Sequence, residues 1–306
     1  MNCKESEMEY DVLIIGGSFA GLSAAMALGR SLRKVLVIDS GLPCNRQTPH
    51  SHNFITHDGQ SPAVIAETAK QQVLNYKTVE WINDKAMSAS GQNRAFELST
   101  QTGKTYTSKK LLFATGVNDM MPEIKGFANC WGISVLHCPY CHGYEVSGEK
   151  LAVLANGDLA FEMGKLIHHW SKDLAILTNG KSTLTVEQTG KLEMKGISIF
   201  KKEIKALEHK NGYLENVVFE DGTSEAFKAI FTRVPFHQHT DIPKAMGCEI
   251  TDEGFIKVDD MQRTTTSGIY AAGDNTSPLR ALSVAIATGT KAGSVMNKEL
   301  IDESFS

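Results

Sequence analysis

Short apolar runs without polar interruption punctuate this chain. Val12-Leu13-Ile14-Ile15 and Val35-Leu36-Val37-Ile38 are such runs, as strands covered on both faces require. Between them Leu22 to Leu28 reads as a helix of small residues, so the opening segment predicts a βαβ unit. From about Gly91 to Leu112 the period shortens to alternation, broken by turn residues at Gly91-Gln92-Asn93 and Thr102-Gly103, which predicts a β-meander. Leu111-Leu112-Phe113-Ala114-Thr115-Gly116 returns to a buried strand ending at a glycine, and Asn118 to Pro122 reads as a crossing linker.

The opening pattern then recurs. Leu151 to Leu154 predicts a strand, and Leu159, Met163, Leu166, Ile167 and Trp170 fall on one face of the helix that follows. Leu174 to Leu177 is the next strand, closed by Thr178-Asn179-Gly180. Val217 to Gly222 opens a hairpin that leads to Ala229-Ile230-Phe231 and a second crossing segment, Val234-Pro235-Phe236. Gly268 to Asp274 is a last strand with a carboxylate at its C-terminal tip. This internal echo predicts an α/β chain with two Rossmann-like, three-layer nucleotide-binding domains.

The first unit carries the chemistry such a fold uses. Gly16-Gly17-Ser18-Phe19-Ala20-Gly21 joins strand to helix, where glycines let the backbone approach a diphosphate at a helix N-terminus. Ser18 stands where the usual motif has its second glycine, and its hydroxyl could reach a phosphate. Asp39 ends the next strand about twenty residues on, the place of a ribose-binding carboxylate. Asp274, beyond the tip of a later strand, suits a ribose or ribityl hydroxyl, with a helix N-cap as the plain alternative.

Composition narrows the function classes. The chain has 306 residues, enough for two domains, with 42% hydrophobic and 22% charged residues, as a folded soluble protein has. A net charge of -4 without basic runs argues against nucleic acid as a partner. No apolar run approaches the length a bilayer needs, and the polar start Met1 to Glu7 is wrong for a signal peptide. A cytoplasmic protein is expected. There thiols stay reduced, so a cysteine motif is catalytic or metal-binding more often than structural. Of the six cysteines only Cys138 and Cys141 form one, in His137-Cys138-Pro139-Tyr140-Cys141-His142-Gly143-Tyr144-Glu145. Zinc would need a second ligand pair at suitable spacing, and the flanking histidines are adjacent to the cysteines instead. No metal site is expected. Cys44 and Cys130 read as small buried hydrophobes, and Trp131 and Trp170 as core.

The order of these signals resembles the low-molecular-weight thioredoxin reductase family of flavoproteins over nearly the whole chain. The matching residues are the glycine turn, Ala114-Thr115-Gly116, the Cys-x-x-Cys, and Gly268 to Asp274. The resemblance implies FAD and a homodimer. It also implies an FAD domain split into 1–119 and 241–306, with a central NAD(P)-binding-like domain, 120–240, inserted and carrying the dithiol. The cofactor set it points to is Gly16, Ser18, Phe19, Ala20, Gly21, Asp39, Gly116, Gly273, Asp274 and Ala281. Asn45, Arg46 and His50 join these from a loop that could reach the flavin, with a solvated polar loop as the alternative. Cys138 would exchange with substrate sulfur, Cys141 would face the flavin, and His142 would move the thiol proton. Partners implied are a thioredoxin-like protein or a small-molecule dithiol or disulfide.

Departures from the standard reductase matter as much. His142 stands where the family usually has an acid, and Cys-Pro-Tyr-Cys-His-Gly-Tyr-Glu is closer to the gliotoxin- and holomycin-type dithiol oxidases, which use oxygen. In the central unit Ala155 replaces a glycine, and after Leu177 only Lys181 stands where an arginine cluster would grip the NADPH 2′-phosphate. These changes argue against NADPH. A non-enzymatic flavin redox sensor, or a zinc module, is the reading from another class.

Overall fold

The computed structural model describes residues 9–305, so Cys3 and the whole polar start Met1 to Glu7 lie outside the described residues. The chain divides into two compact units. One holds the stretch ending at Arg46, Ala63–Asn118 and the stretch opening at Phe236; the other holds Gln47–Pro62 and Asp119–Pro235. The segment 47–62, which the sequence reading left in the N-terminal unit, therefore belongs with the central one.

In the first unit Glu9–Ile15 lies between Val35–Asp39 and Thr105–Phe113, with parallel neighbours on both sides. Val79–Asn83 extends the sheet beyond Val35–Asp39, and Ile269–Ala271 pairs parallel with the end of Thr105–Phe113. The start of that long strand instead pairs antiparallel with Ala95–Thr100, which pairs with Ala86–Gln92: the predicted meander. The continuous apolar runs have their expected cause. Val12 and Ile14 face one core with the helix Phe19–Arg30, whereas Leu13 and Ile15 face another with Phe96, Ile242 and Ile256.

The second unit repeats the scheme with a parallel sheet in the order Ser198–Phe200, Leu174–Leu177, Leu151–Leu154, Ala229–Phe231, Val135–Leu136. An antiparallel sheet of Ile204–Lys210, Tyr213–Phe219 and Ser224–Glu225 follows. The helix Gly157–Ile167 buries Ala160, Met163, Gly164 and Ile167, while Leu159 is exposed, contrary to the predicted face. The reason is close packing: a Cβ on Gly164 would lie 3.1 Å from Ile176, so small residues turn toward the sheet and Leu159 turns away. Among the described residues, no helix is long and apolar enough to cross a membrane.

The C-terminal helix Leu282–Ser304 closes the first unit. Its Gly289 and Gly293 lie against Ala20 and Ala24 of Phe19–Arg30, and a Cβ at Gly289 would overlap the Ala20 carbonyl. The far end of the helix is held by charge. Lys110, fully buried, reaches Glu303 at 2.5 Å, Glu299 at 3.4 Å and Asn93 at 2.9 Å. Burial by itself would raise the Glu299 carboxyl, but hydrogen bonds from Tyr270 and Arg263 and the Lys110 charge outweigh it and hold it below the ordinary value. Glu303 is lowered by Lys110 in the same way, again against burial.

Replacing Lys110 with Met should therefore leave two carboxylates without their buried counter-charge. The expected loss is about 2–3 kcal/mol at neutral pH, at or just under the range for breaking a buried pair because water reaches the carboxylates. Both carboxyls are depressed, so the network's contribution is complete above their ordinary value of 4.5 and drains away as pH falls through the folded values. Urea unfolding of both proteins at neutral and acid pH checks this; the deficit should shrink in acid.

Candidate functional site

In the first unit the turn after Glu9–Ile15 is built by close approach. Gly16 has φ +102°, and a Cβ there would overlap the Ala114 carbonyl. A Cβ on Gly21 would likewise meet the Gly16 carbonyl, so the turn, the helix start and the neighbouring strand tip are packed backbone to backbone. Ser18 occupies the N-cap position of Phe19–Arg30, but its hydroxyl makes no capping bond, and Phe19 and Ala20 are buried in the first turn. The Gly17 N–H donates to Asp39 Oδ1 at 3.0 Å, which ties the second strand's carboxylate to the turn. This is a cradle a dinucleotide diphosphate fits: backbone N–H groups at a helix start, with no side chain in the way.

The other end of the chain comes to the same sheet. Gly273 donates its N–H to Thr288 Oγ1 at 3.1 Å, and a Cβ on it would lie 3.0 Å from that of Ala20. Asp274 pairs with Arg280 at 3.5 Å, and Cys44 points its sulfur at the same carboxylate at 3.9 Å. Asp274 is not the N-cap of the C-terminal helix; that position is Ala281. Neighbouring Asn275 is fully buried, donates to the Phe113 carbonyl at 2.8 Å, and leaves its Oδ1 without a partner. A buried acceptor in that state at the strand tips is a further mark of a ligand site. Gly116 lies past the tip of Thr105–Phe113, and Arg46 binds the Pro43 carbonyl at 3.2 Å. Asn45 is half-buried in the same turn. Cys44 is exposed, which corrects its reading as a core residue; it sits in a polar turn with no strand or helix to cover it.

The dithiol lies in the second unit. Cys138 is extended (φ -121°, ψ 114°) and caps the short helix Pro139–His142, whose first residue needs no N–H. The two sulfurs are 2.6 Å apart. The hydrogen bond from Cys141 lowers the Cys138 thiol from 9.0 to about 7; burial opposes this, and the N–H groups of Cys141 and Tyr140 assist it. Both cysteines are half-buried, so Cys138 is less open to solvent than its place at a helix start implied. Gly143 fits against Trp170, and Tyr140 stands edge-on to that indole at 5.6 Å, leaving Tyr140 and Tyr144 exposed beside the dithiol. Trp170 thus props the motif, whereas Trp131 stacks on Phe127 at 5.9 Å against the core.

His142 follows the second cysteine, and burial pushes its imidazole below the ordinary 6.5; Glu145 pulls it up and His52 pushes it down. His50 was grouped with Asn45 and Arg46, but it belongs to the second unit, where its Nδ1 meets the Gly59 carbonyl at 3.0 Å. Among the described residues, no group of three or more His, Cys, Asp or Glu is arranged to hold a metal ion.

The second nucleotide-like turn is closed by its own side chains. Asn156 Oδ1 accepts from the N–H groups of Gly157 and Thr183 at 2.9 and 2.8 Å, and its Nδ2 donates to the Lys181 carbonyl at 2.9 Å. This amide stitches the turn to the loop after Leu174–Leu177 and uses the N–H a diphosphate would take. Asp158 adds a carboxylate to the first turn of the helix. The Glu203 carboxylate Oε1 lies 3.7 Å from where a Cβ of Gly180, on the loop after Leu174–Leu177, would be. Acids and a hydrogen-bonded amide thus line this turn beside Lys181, where a diphosphate and a 2′-phosphate would call for free N–H groups and cations.

Sequence reasoning missed Arg280, Asn275, Asn156 and the His52 contacts. Arg280 and Asn275 lie close to Asp274 in sequence and could have been flagged; nothing in the pattern pointed to His52.

Comparison with known proteins places these features in a family. Residues 10–289 match the family described as pyridine nucleotide-disulphide oxidoreductase. Thioredoxin reductase sirT of Leptosphaeria maculans is 32% identical, over 94% of this chain and 93% of its own length. Thioredoxin reductase aclD of Aspergillus oryzae is 31% identical, over 96% and 98%. The crystal structure of an oxidoreductase from Agrobacterium tumefaciens superimposes with a TM-score of 0.90 at 34% identity, covering 96% of this chain and 99% of that one.

Alkylation of reduced protein by iodoacetamide, followed on the Cys138 peptide by mass spectrometry, should be half-maximal near pH 7. In Cys141→Ala the midpoint should rise toward 9.0, because the hydrogen bond that favours the thiolate is gone. A native midpoint near 9.0 would show that the second thiol does not activate the first.

Proposed function

Because this chain belongs to the pyridine nucleotide-disulphide oxidoreductase family and is a flavin-dependent disulfide oxidoreductase, we propose that it holds FAD in the split unit and passes electron pairs through Cys138 and Cys141. The observation that carries this reading is the activated, half-buried thiol pair. Gly16 to Gly21 would hold the diphosphate, Asp39 the ribose and Asp274 the ribityl side, with Gly116, Gly273 and Ala281 lining the cradle. Bound FAD supplies a two-electron acceptor.

The chain's own groups account for the rest. Starting from the Cys138–Cys141 disulfide, a substrate thiolate attacks the Cys138 sulfur; the disulfide breaks and Cys141 leaves as thiolate. The second substrate thiolate displaces Cys138, which closes the substrate disulfide and leaves both enzyme thiols reduced. The two substrate protons pass to the enzyme dithiol, with His142, kept neutral by burial, as the base beside it. When the Cys138–Cys141 disulfide re-forms, the dithiol releases two electrons and two protons, which bound FAD would be the group to accept. The closed second turn favours this oxidising direction, with oxygen or another acceptor in place of NADPH chemistry. A small-molecule dithiol, or a thioredoxin-like protein, is the partner in this reading. The family resemblance alone supports a homodimer.

Asp39→Ala should weaken FAD binding by about 1.5–3 kcal/mol, roughly tenfold to a hundredfold, since a charged acceptor for a ribose hydroxyl is lost. Titration of the apoprotein with FAD measures it, and unchanged affinity would misplace the cofactor.

The direction of flow is read by anaerobic stopped-flow mixing of holoprotein with dithiothreitol, NADPH and NADH in turn. Dithiothreitol should bleach the flavin fast and NADPH slowly. Cys141→Ser should block bleaching while Cys138 still forms a mixed disulfide. Rapid bleaching at micromolar NADPH would restore the ordinary reductase direction.

A further inference from the structure

The loop that joined the second unit carries a histidine aimed at the dithiol's neighbours. Its base is anchored where Gln47 Nε2 donates to the carbonyls of Ala128 and Trp131 at 3.0 and 3.2 Å. Its neck is closed by backbone bonds between Ser51 and Gln60 at 2.7 Å and between Gly59 and Ser51 at 2.8 Å. Inside that neck Asp58 is fixed by the Asn53 N–H at 2.8 Å and turns its other oxygen toward His52 Nδ1 at 3.6 Å. The same Nδ1 faces Glu145 Oε1 at 3.4 Å, and the His52 ring stands at 90° to that of His142, centroids 6.4 Å apart.

We infer that His52 is a positioning residue of the dithiol centre, holding the Glu145 carboxylate and standing edge-on to His142 so that His142 works as a neutral base. This rests on the thiol-exchange role of His142 given above. The groups that act on His142 are Glu145, three residues on, and His52 from the loop, while Cys138 and Cys141 precede it in the same short turn. Those facing His52 are Asp58, Glu145, His142 and His50, whose ring centroid is 6.3 Å away. Glu145 is the group that would spoil the base, because an unanswered carboxylate three residues on favours imidazolium. His52 answers that carboxylate and itself lowers His142, so both effects act in one direction.

The test uses holoprotein with ¹³C-labelled histidine, the His142 resonance being identified by its loss in His142→Gln. His52→Gln should raise the pH midpoint of His142, and Glu145→Gln should lower it. His52→Lys, which places a cation against Glu145, should return the midpoint toward the native one. The pH profile of flavin bleaching by dithiothreitol should move with the midpoint in each variant. If His142 titrates alike in the native protein, His52→Gln and Glu145→Gln, all folded by circular dichroism, the positioning role is overturned. If the midpoints move as stated but dithiothreitol never bleaches the flavin, even in native protein, the positioning role stands and the flavin reading falls.

Discussion

The contact between the C-terminal helix and the first helix is the constraint on which the cofactor cradle depends. Gly289 and Gly293 allow two helices from opposite ends of the chain to touch through backbone, without side chains between them. Any larger residue would push the helix Leu282–Ser304 outward and take Gly273 and Thr288 with it. The glycine turn would then lose the wall that Gly273 forms against Ala20. At the other end of the helix, Lys110 converts an electrostatic liability into an anchor, since a fully buried ammonium is stable only while Glu299, Glu303 and Asn93 surround it. Apolar packing brings the helix to the sheet; the charge network fixes where along the sheet its end comes to rest.

Two turns of the same ancestry of shape end in opposite states. In the first, a side chain from the second strand, Asp39, reaches back to one glycine N–H and leaves the rest of the cradle open. In the second, Asn156 lies within the turn itself and bonds both to the turn and to the loop beyond the next strand. An amide carries a donor and an acceptor, so it satisfies N–H and carbonyl groups together, where a diphosphate could serve only the N–H groups. The sheet and helix survive because their stability comes from the two apolar cores, which involve none of these polar groups. The same unit carries the dithiol, so the scaffold's stability does not depend on what the turn binds.

Much of this was legible in the chain, for a physical reason. A strand buried on both faces cannot tolerate a polar residue, so Val12 to Ile15, Val35 to Ile38, Leu151 to Leu154 and Leu174 to Leu177 stand out unaided. The dithiol was legible because two thiols at that spacing have few other uses. Helix faces were less so: Leu159 fits the apolar period, but Ala160 and Gly164 decide the face by allowing close approach, and period alone cannot weigh size against hydrophobicity. Cys44 was misread because a lone cysteine carries no sign of its exposure. His50 was assigned by nearness in sequence to Asn45 and Arg46, whereas the chain changes unit between Arg46 and Gln47. His52, Asp58 and Glu145 meet only through the fold.

The electrostatics of the dithiol follow from these placements. Cys138 must lose its proton readily, yet the site is half-buried, and burial works against any thiolate. No arginine or lysine is among the groups that lower it; the effect comes from the Cys141 thiol and from N–H groups, which stabilise charge through dipoles. Dipolar stabilisation favours the Cys138 thiolate, while burial holds the His142 imidazole below its ordinary value. The thiol that must ionise and the imidazole that stays neutral are thus set by two different means, hydrogen bonding for one and burial for the other.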